Sequence, residues 1–479
     1  MMNLRRTPPL AGLVALVLAS HVSAQTPAPP QWRERAVALD VALDYRTSSL
    51  EGTIRLTVEN WSSSRATEIP LLLNRLMDVR GATDAAGRPL RMRQDVVRFV
   101  DSPLQQVVAA VVTLPAPVAP GQSTTIAATF GGNLVGYTET GSLYIRDRVD
   151  SAFTILRTDA FAFPSVGVAS WRANRQIPRE DFAFELAVRV PGNQSVATGG
   201  EFVGRDSTDA GVTWRYRSQR PVPFLNAAIA PYVRLRRDGI RVFSFREDSA
   251  GGERVAASAS RALALFSSWF GDIGERPDIT ISEIPDGWGS QASLTGGIIQ
   301  TAAAFRDTTR VVELYHEISH LWNAPDTERP SPRWNEGLAR YLQFAAYQEL
   351  NGWRGLDGHL DSLVRALVLR GQRDTSLRSI PLQSYGTAGA TGHSYLVGEL
   401  FFALLHRTVG DSSFRAIVGG YWRQRRSTGG TTRQFAEFAA RQTSVNLDRL
   451  VADWIFTTAW YDTAVGAGTF AELVRRYRR

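Results

Sequence analysis

The sequence predicts an α+β protein in two parts: an N-terminal β-sandwich-like domain, then a domain that passes from mixed α/β structure into helices. Three observations predict it. Val37, Leu39, Val41, Leu43 and Tyr45 alternate with small or acidic residues, as do Ile54, Leu56 and Val58, and again Phe182, Phe184, Leu186, Val188 and Val190. A period of two is the mark of half-buried antiparallel strands. Near residue 250 the period changes: apolar residues fall at helical spacing from Glu253 to Phe270 and stop at Gly271. From Thr308 onward nearly every ordered segment reads as helix. At 479 residues the chain is too long for one ordinary core and suits two.

Taken in order, the chain begins with the three parts of a secretory signal peptide, residues 1–24. Arg5 and Arg6 give a positive start, Leu10 to Ala19 an apolar core, and Val22-Ser23-Ala24 a small-residue cleavage site. The apolar run is too short for a stable bilayer anchor, and no later segment is long enough. The expected mature protein is therefore exported, periplasmic or extracellular, with no transmembrane anchor after signal cleavage. A Pro-rich flexible leader, 25–31, precedes the β domain, expected over 32–235 with turns at Glu51-Gly52, Pro120-Gly121 and Pro191-Gly192. The second domain, 236–479, should open with the Glu253–Phe270 helix, a short strand at Ile279 to Ile284 and a Gly-rich stretch from Gly287 to Gly297.

Composition removes several chemistries. The net charge is +8 and the pI about 10.0. The arginines are scattered rather than gathered into a stripe with interleaved aromatics, so no nucleic-acid partner is expected. All 54 basic residues are arginine, which excludes Schiff-base and phosphate-loop lysines. Cysteine is absent, so thiol nucleophiles, disulfides and thiolate-bound zinc are excluded too. Any metal must be held by His, Asp or Glu.

One constellation fits that requirement. Val311, Leu314, Tyr315, Ile318, Leu321 and Trp322 form a helical stripe that carries His316-Glu317-Ile318-Ser319-His320. Residues four apart stack on one helix face, so two imidazoles can converge on one ion at about 2.0–2.1 Å. Glu317 is offset from them and suits a general base acting on a water held at the metal. Pro325, Pro330 and Pro332 end this helix. A second helix from about Arg333 carries Trp334-Asn335-Glu336-Gly337-Leu338-Ala339, and packed antiparallel to the first it would bring Glu336 in as third ligand. Two His and one Glu leave the fourth position open, the form of a catalytic zinc site with one Zn2+ per chain.

These motifs resemble the zinc-dependent aminopeptidases of the aminopeptidase-N type, in the gluzincin group, over most of the mature chain. Leu50-Glu51-Gly52-Thr53-Ile54 with Asn60 resembles the family's N-terminal β domain. His316-Glu317-x-x-His320-x-Trp322 and Trp334 to Ala339 resemble its two catalytic helices, and Leu447 to Trp454 the close of its catalytic domain. The resemblance implies a thermolysin-like, mainly helical zinc catalytic domain acting on peptide or protein substrates. Tyr395-x-x-Gly398 resembles the family's Tyr-x-Lys-Gly, which implies that the Tyr395 hydroxyl steadies the tetrahedral intermediate. His393 is a competing donor. Glu313, one turn before His316, is either a supporting partner or a solvated helix residue.

The sequence departs from the family pattern in three ways. Fifteen residues separate His320 from Glu336, fewer than is usual. The family's amine-binding Gly-x-Met-Glu-Asn strand is matched to Gly296-Gly297-Ile298-Ile299-Gln300, which lacks an acid, so a free N-terminus should be held weakly. The chain ends where the family's catalytic domain ends, so an open cleft is expected. His320-Leu321-Trp322-Asn323 also resembles the glycyl aminopeptidases. A zinc endopeptidase, or a non-catalytic binding or assembly protein that keeps the fold, are the other readings. The intact Glu317 argues against the last.

Overall fold

The computed structural model describes residues 28–177, 182–274, 279–292 and 297–478. The expected signal peptide lies outside the described residues, as does the leader before residue 28. Trp32–Asp44 and Ser49–Asn60 form a long hairpin at the centre of a seven-stranded sheet. Ala183–Val190, Gly211–Arg217 and Glu201–Thr208 extend it on one side, and Ser123–Asn133 and Met77–Asp84 on the other. Its pairs are antiparallel except Trp32–Asp44 against Ala183–Val190, which run parallel. A four-stranded sheet, in the order Arg91–Phe99, Ser102–Val118, Ala66–Asn74, Ser165–Val166, packs on it. The alternating residues predicted to point inward do so: Leu39, Ile54 and Leu56 share one buried core with Leu71, Leu73, Ala110 and Val112 of the second sheet.

A three-stranded sheet, Ser195–Ala197, Asn226–Ala230 and Thr154–Arg157, links this sandwich to the second domain. There Arg157 and Asp147 form a fully buried ion pair, with Arg157 Nε 3.0 and 2.9 Å from the two carboxylate oxygens. Arg157 Nη1 also donates to the Trp288 carbonyl at 3.1 Å, tying the β region to the Gly-rich loop. Desolvating both charges is offset only because nearly every donor and acceptor is used.

The second domain starts with a five-stranded mixed sheet, in the order Val233–Arg237, Ile240–Ser244, Ile279–Ile284, Gly297–Thr301, Gln291–Ala292. Val233–Arg237 straddles the division expected at 235/236 and pairs with Ile240–Ser244. The helix Ser249–Phe270 buries Val255, Ala256, Ala259, Ala262, Leu263 and Phe266 along one stripe. It stops at Gly271, whose φ of +100° suits a residue without Cβ. The carbonyl of Gly271 accepts from Trp322 Nε1 at 2.8 Å, which anchors the end of the His320 turn. From Val311 onward the described chain is mainly helical, built on one core that joins Leu314, Ile318, Leu338, Leu342, Leu400 and Leu404.

Candidate metal centre and substrate cleft

His316 and His320 stand on adjoining turns. Val311–Ser319 is an α-helix, and His320–Trp322 continues it as one 3-10 turn. Leu314, Tyr315 and Ile318 are buried as the stripe predicts, which turns the two imidazoles to the opposite side. Trp334–Asn351 crosses this helix antiparallel: Tyr315 Oη donates to Asn351 Oδ1 at 3.0 Å, while His320 meets Glu336 at the other end. The intervening loop is pinned, with Thr327 N–H donating to the Gly430 carbonyl at 3.1 Å and Ser331 Oγ to Asp326 at 2.5 Å.

One donor atom each from His316, His320 and Glu336 lies within 4.8 Å of the others. Glu336 Oε2 is 3.4 Å from His316 Nε2 and 3.7 Å from His320 Nε2. Those separations are long for hydrogen bonds. They match ligand atoms about 2.0–2.2 Å from one ion, which in a tetrahedron stand roughly 3.3–3.6 Å apart. The other oxygen of Glu336 accepts from Arg333 Nη2 at 2.5 Å, so one oxygen is engaged by protein and one is left for a cation. Burial opposes the Glu336 charge, but His320, His316 and Arg333 together hold its carboxyl well below the usual range. Burial takes His320 down to about 4, so it is neutral at pH 7 as a ligand must be. At His316 burial also works downward, but Glu336 and Glu317 outweigh it and raise the imidazole. His320 Nδ1 lies 2.7 Å from the Asn323 amide nitrogen, and the buried Asn323 Oδ1 has no partner. Turning that amide over places Oδ1 as acceptor for Nδ1–H and frees Nε2 for a metal. Two imidazoles and a carboxylate without sulfur fit zinc.

Arg333 was not singled out from sequence. It sits immediately before the Glu336 helix in the left-handed region, φ 57°, which for a non-glycine residue costs about 1–3 kcal/mol. That bend aims its guanidinium at Glu336 and brings Nη2 to 3.4 Å from the Tyr395 hydroxyl. Asn323 was equally unremarked as an imidazole partner, although it stands three residues beyond His320.

A cleft of about 960 Å³ opens in front of the cluster. Glu317, His316, Glu313 and Arg310 line one wall, Arg340 and Gln343 of the Glu336 helix another, and Tyr395, Leu396 and Glu399 a third. Leu143 and Tyr144 of the β domain and Asp286 to Ser290 of the Gly-rich loop form the rim. Burial pushes the Glu317 carboxyl up to about 7, with Glu336 and Glu313 adding and His316 opposing. Tyr395 is pushed up to about 12 by burial, then by Glu336. His393 turns away: its Nε2 lies 3.1 Å from Ser376 Oγ and 3.5 Å from Asp374. Glu313 faces the cleft, pairs with Arg310 and lies 3.4 Å from Thr301 Oγ1.

The segment matched in sequence to the family's amine-binding strand is an interior one over its described residues. Gly296 lies outside the described residues, and Gly297–Thr301 is an inner strand between Ile279–Ile284 and Gln291–Ala292. Ile298 and Ile299 are buried, and Gln300 is fully buried with Nε2 3.2 Å from Ser290 Oγ. The free edge of the sheet is Gln291–Ala292, which also carries no acid. Its Gln291 side chain is held by Asn226 at 3.0 Å and Asp159 at 2.9 Å.

The N-terminal multi-sheet β domain followed by a helical domain matches the fold of solved two-domain M1 zinc metallopeptidases. Among solved structures, the chain is similar to an M1 zinc metallopeptidase from Deinococcus radiodurans, with a TM-score of 0.66 at 20% identity over 89% of this chain and 94% of that one. A glutamate-to-alanine mutant from the same organism, bound to a Tyr-Ser-Ala substrate, aligns with a TM-score of 0.65 at 20% identity and the same coverage. A two-domain M1 zinc metallopeptidase mutant bound to L-tryptophan aligns at 0.65 and 20%, over 90% of this chain and 96% of that one. No family model and no curated protein matches the sequence. The likeness establishes a shared fold.

Proposed function

We propose that this protein is an exported zinc-dependent peptidase, aminopeptidase-like, that hydrolyses peptide bonds with Glu317 as general base. The observation that supports it best is the convergence of His316, His320 and Glu336 beside a buried, proton-competent Glu317 in an open cleft. His316, His320 and Glu336 would hold one zinc ion, which supplies a Lewis acid that polarises the substrate carbonyl and acidifies water.

The protein's own groups do the rest. A carboxyl whose affinity for protons is near neutrality both takes and returns one, so Glu317 accepts the proton of the attacking water and passes it to the leaving amine. The Tyr395 hydroxyl stays protonated at any physiological pH and donates to the carbonyl oxygen as negative charge builds there. Arg333 keeps the Glu336 carboxylate charged and oriented. Likeness to metallopeptidases described with a peptide substrate and with amino acids adds support. Export rests on the N-terminal signal pattern; among the described residues no helix is long and apolar enough to cross a membrane.

Zinc content together with turnover of a peptide library tests the reading. The expected result is about one zinc per chain and cleavage abolished by chelation. A folded, zinc-loaded protein that binds peptides and cleaves none would favour the non-catalytic reading, and cleavage confined to internal bonds the endopeptidase one.

A further inference from the structure

Glu336, Arg340 and Gln343 lie four and three residues apart, and so form one stripe along their helix. Arg340 stands about 6 Å, and Gln343 about 10 Å, along the axis from Glu336 at 1.5 Å per residue. Both side chains line the cleft. Arg340 meets one carboxylate, and loosely: its Nε is 3.4 Å from Glu399 Oε2. The other oxygen of Glu399 is taken by His359 Nε2 at 2.7 Å. The guanidinium lies over the Phe344 ring at 5.4 Å, and its two terminal nitrogens make no hydrogen bond among the described residues. Gln343 is only 3% exposed, and its side-chain amide has no hydrogen-bond partner among the described residues either. The little surface that Gln343 exposes faces the cleft, so its unpartnered amide is offered to whatever the cleft holds.

We propose that Arg340 and Gln343 form a carboxylate-binding subsite that selects peptides bearing a carboxylate one or two residues from the scissile bond. A fork of two terminal nitrogens beside an amide N–H matches the two oxygens of a carboxylate. The extended chain advances about 3.3–3.6 Å per residue, so a group roughly 6–10 Å along the wall is reached by the C-terminus of a di- or tripeptide. The side chain of Asp or Glu at the same position offers the same chemistry. The orientation relative to the scissile bond rests on the peptidase reading; the carboxylate subsite does not.

The test is calorimetric binding to zinc-loaded Glu317→Gln protein of a tripeptide acid, the same tripeptide with an amidated C-terminus, and an amidated longer peptide carrying Glu at the third position. The acid should bind at least tenfold more tightly than the amide. Adding Arg340→Gln should reduce that ratio to within about threefold, while Arg340→Lys keeps part of it. Gln343→Leu should weaken the acid alone. Tight binding of the amidated Glu peptide, lost in the same variants, supports the subsite and assigns it to an acidic side chain. Equal binding of acid and amide with Arg340 intact overturns the proposal, as does a preference that survives Arg340→Gln. If the unsubstituted protein cleaves nothing yet shows the preference, the peptidase reading fails and the subsite stands.

Discussion

Gly337 rests directly on Gly398. A Cβ built on Gly337 would lie 2.4 Å from the Cα of Gly398 and 2.8 Å from the Glu399 nitrogen, all backbone that cannot swing aside. The crossing of the Glu336 and Tyr395 helices therefore occurs at backbone contact. It sets how far the Tyr395 hydroxyl stands from Glu336. Gly337→Ala should push the helices apart and cost about 1–3 kcal/mol, the usual range for overpacking. It should also weaken zinc binding, because Glu336 is the preceding residue. Denaturant unfolding and zinc affinity check this together; unchanged values in both would mean that the crossing is not under the constraint described.

The metal cluster leads to a sharper expectation. His316→Ala or His320→Ala should lose the zinc, since each leaves one nitrogen and one oxygen ligand. Glu336→Ala should weaken it, and it should also release Arg333 from its 2.5 Å partner. Metal analysis after dialysis is the measurement. Full stoichiometry in both histidine variants would show that the ion is held elsewhere.

Glu317→Gln should retain fold and zinc but lose most turnover, because an amide cannot accept a proton from water. Tyr395→Phe should lower kcat by about 10²–10³ with little change in KM, the pattern of a donor that acts in the transition state. His393 faces Ser376 and Asp374, so His393→Ala should not reproduce that loss. If it does, the tyrosine role moves.

Much of this was legible in the sequence because it is local. Period-two segments became strands, and Ile279–Ile284 formed as predicted. The convergence of His316, His320 and Glu336 was legible because helical spacing fixes the histidines, and a metal would need a third ligand from somewhere near. Non-local features were not. The parallel pairing of Trp32–Asp44 with Ala183–Val190 has no local signature. The Gly-rich run before Gln300 reads alike for an inner or an edge strand, and only the sheet order shows that Gln291–Ala292 is the edge. Arg333 and Arg340 look like any of the chain's arginines until two helices cross beside them.

Glu283 supplies a pH test away from the cleft. It is fully buried, its Oε2 accepts from Phe245 N–H at 2.7 Å, and burial pushes it up to about 9, with Asp248 adding and Phe245 opposing. The folded protein thus keeps a proton that the unfolded chain releases near pH ~4.3. Folding takes up that proton between those limits, so this contribution is complete below the lower one and is lost as pH rises toward the upper. The slope for one proton is at most about 1.4 kcal/mol per pH unit. Glu283→Gln keeps an oxygen for Phe245 and has no proton to lose. Its stability relative to the unsubstituted protein should therefore grow from pH 5 to pH 9. A difference that is constant across that range would place the ionised carboxylate in the folded state.

The last prediction concerns the free N-terminus of a substrate. Recognition of an ammonium needs a carboxylate that is available, since a charge-assisted pair is stronger than a neutral hydrogen bond. The edge strand Gln291–Ala292 has none, and residues 293–296, Ser-Leu-Thr-Gly, add none. Asp159, which contacts that edge, already accepts from Gln291 Nε2 at 2.9 Å and stands 3.4 Å from the Tyr144 hydroxyl. Of the carboxylates on the cleft wall, Glu313 is paired with Arg310, and Glu399 with His359 and Arg340. Asp286 accepts from the Ala303 N–H at 2.8 Å and lies 3.7 Å from Arg306. Apart from Glu317, the proposed general base, an incoming ammonium would have to displace an existing partner, so most of its attraction is cancelled by the contact it breaks. Acetylating the N-terminus of a good substrate should therefore reduce kcat/KM by less than about tenfold, or roughly 1.4 kcal/mol. The measurement is kcat/KM and cleavage position for matched free and acetylated peptides. A loss well beyond tenfold, with cleavage confined to the first bond, would mean that Asp159 or Glu313 exchanges its present partner for the substrate amine.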